Sequence, residues 1–294
     1  MLAVSGASGN LGRLVTAELL GAVEADQLRL ITRRPDELEA PAGVDVRAGD
    51  MNDPTSLRLA YDGVDTLLLI STDTVDGRTA QHVAAIDAAR DAGVGRVIYT
   101  SMISPGDDNP ALIAPSHHGT EEHLRAGGGD WTIVRCGFYS DFQAFEAADA
   151  LRTGELRHNR GTGRCAYVAR EDCAVTLAAI LRDPAATGLF ELTGPAAPDA
   201  PELAALYAEV GGAPVEAVEL DDEEFLRELS AGGSEDGHVQ YGVALTVSLG
   251  RAIREGRYGH VTDTVRAIGG REPLSVGQML ERHRDMLREA AAAR

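Results

Sequence analysis

The chain has 294 residues, 44% of them hydrophobic and 25% charged, which suits one large core or a main core with a smaller companion. Its 27 Lys and Arg stand against 46 Asp and Glu, a formal charge of −19, and with no basic run to offset it this argues against nucleic-acid or anionic-lipid partners. Three scattered cysteines argue against a disulfide framework or a cysteine metal centre, no apolar run approaches the ~18 residues of a membrane span, and the lack of a basic leader makes the cytoplasm the expected location.

Residues 2–5 read as a strand, and Leu11, Leu14, Val15 and Leu19 follow it at helical spacing. Strands follow at 28–32, 44–49 and 65–71. Before the last of these a helix starts at Asp53 and Pro54, an N-cap and a first-turn proline. The run at 65–71 is apolar on both faces, as in a central parallel strand. A helix over 78–93, a strand over 95–101, a helix from Ser116 and a strand over 131–136 continue the alternation. The pattern predicts an α/β fold: a Rossmann-type, doubly wound parallel sheet with a small, mostly helical C-terminal lobe.

After residue 137 the pattern loosens. Residues 154–181 read as short strand, turn, second short strand and helix, with Glu171 and Asp172 capping the helix start. A strand at 188–194 is expected to return to the main sheet, and one more strand is expected at 214–220 within a helical region. The expected division is 1–150, with the returning strand, for nucleotide binding, and 151–294 for a smaller substrate-side lobe interleaved with it.

Between the first strand and helix stands Gly6-x-x-Gly9-x-x-Gly12. Small residues there permit a sharp turn, close approach of backbone to a pyrophosphate, and tight helix–strand packing. The helix N-terminus then offers free N–H groups to the phosphates, which makes Gly6, Ser8, Gly9, Asn10, Leu11 and Gly12 cofactor-binding candidates. About 20 residues on, an NAD site usually carries a carboxylate for the ribose. Here Arg33 and Arg34 occupy that place, which favours NADPH, although Asp36 and Glu37 stand close enough to pair with them. Asp50 and Met51, after the third strand, are placed to flank an adenine ring, and Ser71, after the fourth, to meet the middle of the dinucleotide.

The segments "VSGASGNLG", "ITRRP", "GDMND", "VIYTS", "HHGTEEHL" and "WTIVRCGFYSDF" occur in that order. Together they resemble the NmrA-like, atypical short-chain dehydrogenase/reductase family, nearest to its quinone oxidoreductase type 2 and triphenylmethane reductase group. The resemblance extends through the C-terminal tail. It implies an NADPH-dependent reductase of flat, conjugated acceptors such as quinones or dyes. It also admits a non-catalytic NADP(H)-sensing regulator and a secondary-metabolism tailoring reductase.

Typical members of the superfamily use a tyrosine four residues before a lysine. Here those positions are Ile113 and His117. His117 is the candidate proton donor or ribose partner, biased toward neutral imidazole by the helix N-terminus. Ser101 stands where the superfamily often places a polar residue near the substrate oxygen. Phe138 and Tyr139, adjacent in a chain that is only 4% aromatic, are candidates for the apolar wall of an acceptor pocket. His117, His118 and His123 lack the spacing and the extra ligands of a metal site. The expected partner is a planar small molecule, and an exposed helix pair leaves room for a homodimer.

Overall fold

The computed structural model describes residues 1–232 and 236–294. The first half runs β1 (Leu2–Ser5), α1 (Asn10–Leu20), β2 (Leu28–Thr32), β3 (Asp45–Ala48), α2 (Pro54–Tyr61), β4 (Thr66–Leu69), α3 (Arg78–Asp91), β5 (Arg96–Met102), α4 (Ala114–Ala126) and β6 (Asp130–Cys136). Then follow α5 (Gln143–Thr153), β7 (Glu155–His158), α6 (Arg170–Arg182), β8 (Gly188–Leu192), α7 (Ala200–Gly211), β9 (Glu216–Glu219) and α8 (Asp222–Leu229). The chain closes with α9 (Gly237–Arg254), α10 (Thr264–Gly269), α11 (Val276–Glu281) and α12 (Arg284–Ala292).

Seven strands form one parallel sheet in the order β3-β2-β1-β4-β5-β6-β8. This is the doubly wound Rossmann arrangement, reversing direction between β1 and β4. β8 is the returning strand, paired with β6 from Thr132↔Gly188 to Cys136↔Leu192. Helices cover both faces, as an all-parallel sheet requires. Val15 and Leu19 of α1, Leu177 and Ile180 of α6 and Val265 of α10 bury one face. Leu57 and Tyr61 of α2, Ala85 and Ile86 of α3 and Leu124 of α4 bury the other. A third core, centred on Leu151, Leu203, Tyr207, Ile253 and Leu280, holds α5, α7, α9 and α11 together. A small parallel pair, β7 with β9, flanks it.

Local chemistry sets several boundaries. Asp53 caps α2 by accepting from the N–H groups of Thr55 and Ser56. α7 and α8 open on capping boxes, Asp199 with Glu202 and Asp221 with Glu224. Arg96 at the start of β5 donates to the carbonyls of Ile180, Leu181, Asp183 and Ala186, so it satisfies the C-terminus of α6 from the sheet face that helix covers.

Two local expectations fail. Residues 165–169 form no second strand. Val168 makes only an isolated bridge to Tyr139, because β8 already occupies the edge beside β6. Asp172 does not cap its own helix, whose N-cap is Ala169. The carboxylate is fully buried and needs strong partners. It accepts from Arg271 Nε at 2.9 Å and from the Leu274 N–H at 2.8 Å, and so straps the C-terminal segment to the nucleotide-side core.

Candidate active site

A crevice of about 600 Å³ opens outside the carboxyl ends of the strands. Across the sheet its lining passes from Arg33 beyond β2 and the glycine turn beyond β1, through Ser71 beyond β4 and Ser101 in β5, to Phe138 and Tyr139 beyond β6. α9 contributes Leu245 and Leu249 from the far side.

The glycine turn is tied to its neighbours. The N–H groups of Gly6 and Ala7 both donate to the carbonyl of Ile31, and Thr32 Oγ1 donates to Ser8 Oγ at 3.0 Å. Gly6 has a φ of +89°, left-handed backbone that L side chains rarely adopt. A Cβ on Gly12 would lie 2.2 Å from the Gly6 carbonyl oxygen, so only glycine lets α1 approach this closely. α1 starts at Asn10 with no side-chain cap on its first-turn N–H groups. Gly6, Ser8, Gly9, Asn10, Leu11 and Gly12 all line the crevice, with Leu11 buried against α1's own core face. Backbone donors without a side-chain cap, beside a space no side chain fills, suit a pyrophosphate.

Arg33 lines the same crevice and has no ion pair among the described residues. Arg34 is absent from the lining. It is exposed and paired with Glu37 at 3.0 Å. Asp50 and Met51 lie on the lining next to the glycine turn, with Asp50 Oδ1 accepting from the Asn52 N–H. The residues present fit a dinucleotide: uncapped backbone N–H groups at the glycine turn and the unpaired Arg33 guanidinium line one crevice.

At the other end, His117 is buried, and burial pushes its pKa down to about 3. The expected helix-terminus bias toward neutral imidazole is thus overtaken by desolvation. His82 is likewise pushed down to about 3 by burial. The two rings meet through Tyr99, whose hydroxyl lies 2.8 Å from His117 Nδ1 and 3.1 Å from His82 Nδ1. Hydrogen-bond logic assigns the protons. The Thr72 N–H donates to His82 Nε2, so the proton of neutral His82 sits on Nδ1. That N–H faces Thr120 Oγ1 at 3.0 Å as well as Tyr99. Thr120 spends its own hydroxyl proton on the Ser116 carbonyl. With Tyr99 donating to His117 Nδ1, the proton of neutral His117 sits on Nε2. That nitrogen has no partner among the described residues, and His117 lines the crevice.

Ser101 lies on the lining with its hydroxyl buried and without a hydrogen-bond partner. Phe138 stacks edge-on against Tyr167 at 6.1 Å. The Arg170 guanidinium lies 4.7 Å from the ring centres of both Tyr139 and Phe142, a cation–π pair that stiffens this wall. Ile113, at the superfamily's tyrosine position, lines the crevice as an apolar residue. Among the described residues no group of three His, Cys, Asp or Glu is placed to hold a metal ion, and no helix is long and apolar enough to cross a membrane.

Sequence reasoning missed Arg78, His82 and Tyr99. Arg78 and His82 read only as members of an amphipathic helix, and Tyr99 only as a buried strand residue. No local signal marks them, because their partners lie on other elements.

The sequence model described as NAD(P)H-binding matches residues 6–184. The chain is 35% identical to quinone oxidoreductase 2 of Escherichia coli over 240 residues, 81% of this chain and 84% of that one. The fold is similar to the NADPH-dependent quinone oxidoreductase of Escherichia coli in complex with NADPH, with a TM-score of 0.90 and 30% identity over 96% of this chain and 99% of that one. It is also similar to the Citrobacter sp. triphenylmethane reductase complexed with NADP(H), with a TM-score of 0.86 and 29% identity over 96% and 99%. The resemblance read from the sequence motifs points to this same group.

Proposed function

The chain belongs to the NAD(P)H-binding family, and on that premise we propose that it is an NADPH-dependent reductase passing hydride directly to a quinone-like or other conjugated planar acceptor. The observation that carries this reading is one continuous crevice. It has phosphate donors and the unpaired Arg33 on one side and an aromatic wall with a histidine N–H on the other.

Each residue's part follows from its chemistry. The glycine turn and the first turn of α1 hold the pyrophosphate. Arg33 pairs with the ribose phosphate, which a carboxylate at this place would repel. When bound, the reduced nicotinamide supplies a hydride. Phe138 and Tyr139 hold a planar acceptor flat and exclude water, so the reacting atoms meet at near-attack distance. A quinone gains aromaticity as it accepts hydride, so it needs less acid assistance than a ketone. This suits a site with Ile113 in place of the superfamily tyrosine. His117, neutral throughout the physiological range, offers its Nε2–H as a hydrogen bond to the acceptor oxygen or the nicotinamide ribose.

The same apolar Ile113 gives a second reading some support, that of a regulator which binds NADP(H) and turns nothing over. A tailoring reductase for a bulkier polycyclic acceptor would use the same chemistry in a wider pocket. The test is titration with NADPH and NADH, followed by addition of a simple quinone while the reduced-nicotinamide absorbance is recorded. Tighter binding of NADPH with loss of absorbance is expected. Binding without consumption across several quinones and dyes would refute the reductase and favour the regulator. No binding of either nucleotide would refute both.

A further inference from the structure

Arg78 is the first residue of α3, and only 9% of it is exposed. Its Nε is buried without a hydrogen-bond partner, and no ion pair reaches its guanidinium among the described residues. The other well-buried arginines are all satisfied. Arg29 holds Asp45 and the carbonyls of Ala60 and Asp62, Arg96 holds four carbonyls, and Arg160 holds Glu146 and Tyr167. A buried Nε with no partner, on a guanidinium that has no ion pair and lines an open crevice, points to a ligand that completes it.

Its surroundings narrow that ligand. Arg78 lines the crevice. The first turn of α3 packs on the first turn of α4, where Thr79 Oγ1 meets the Ser116 carbonyl at 3.5 Å, beside His117. Arg78 and His117 share this lining, and the charge of Arg78 adds to the burial that lowers the pKa of both His82 and His117. The phosphates already have the glycine turn and Arg33.

We propose that Arg78, together with the Nε2–H of His117, binds the oxyanion that forms on the acceptor. This rests on the reductase reading. Hydride carries two electrons to the acceptor, so the nicotinamide is oxidised and the quinone becomes a hydroquinone monoanion. The new charge sits on the former carbonyl oxygen, where a fixed cation and an N–H donor in a water-poor crevice act strongly. One proton from water then completes the hydroquinone, and the protein supplies none.

The experiment uses the full chain saturated with NADP+, 4-nitrophenol as a stable phenolate probe, and its phenolate absorbance against pH. The wild type is expected to lower the bound phenol's pKa by about one unit or more, a roughly tenfold preference for the anion. Arg78→Gln should abolish that shift and Arg78→Lys should retain part of it. NADP+ affinity should stay within about twofold, and quinone turnover should fall on the order of 100-fold. Arg78→Gln breaks no ion pair among the described residues, so it should fold, and NADP+ binding reports whether it has. The proposal is overturned by no pKa shift in the wild type. It is equally overturned by a shift that survives in Arg78→Gln, or by a tenfold or greater loss of NADP+ affinity in that variant, which would assign the guanidinium to the cofactor. A wild type that shifts the phenol but consumes no NADPH would keep the oxyanion site and sink the reductase reading alone.

Discussion

Lowering the pH from 7 to 5 should destabilise this protein through two buried histidines. His82 and His117 each have a folded-state pKa of about 3 against an ordinary value of 6.5. Below pH 6.5 the unfolded chain takes up protons that the folded chain refuses, so stability falls as pH falls and keeps falling until about pH 3. At pH 5 the linkage amounts to about 2 kcal/mol for each histidine, and about 4 kcal/mol for both if they act independently. Other groups also titrate in this range, so the informative quantity is a difference between proteins. Urea unfolding of the wild type and of His82→Gln, followed by the fluorescence of the single tryptophan, Trp131, gives stability at each pH. Glutamine can still accept from the Thr72 N–H but does not titrate. The wild type should lose about 2 kcal/mol more than the variant between pH 7 and pH 5. Equal losses would mean that His82 is not held neutral, and the proton assignment that gives His117 its free Nε2–H would fall with it.

Other substitutions test other parts. Gly12→Ala puts a Cβ 2.2 Å from the Gly6 carbonyl oxygen and should cost about 1–3 kcal/mol of stability and about tenfold or more in NADPH affinity. Calorimetry and thermal melts that show neither would refute the cradle. Arg33→Asp should weaken NADPH by on the order of 10–100-fold and leave NADH within about threefold. Equal effects on the two nucleotides would detach Arg33 from the ribose phosphate. Arg96→Gln removes most of the donors that close α6 and should cost about 3–5 kcal/mol in chemical denaturation. A loss under about 1 kcal/mol would show that water replaces them.

The strands, the helices and the glycine turn were legible in the sequence because each depends on neighbours a few residues apart. Two- and 3.6-residue periods mark the elements, Asp53 caps the helix that starts at Pro54, and Gly6, Gly9 and Gly12 sit in one turn. The strand at 188–192 was legible for the same reason, and so was its return to a sheet whose pattern was already parallel. The second short strand failed because 165–169 pairs with the chain beyond β6 at one point alone, Val168 with Tyr139.

Partnerships were decided only in three dimensions. Arg33 and Arg34 are equivalent as sequence, yet the chain's path after β2 gives one to the crevice and the other to Glu37. Asp172 reads as a cap until Arg271 and the Leu274 N–H arrive from about a hundred residues away. His82, Tyr99 and His117 come from α3, β5 and α4, and the proton on His117 is assigned through all three. Arg78 is ordinary in the sequence and conspicuous in the fold. Burial belongs to no residue alone. It is made by everything packed around it, and the desolvation that neutralises His117 and leaves Arg78 wanting an anion exists only once the elements have closed together.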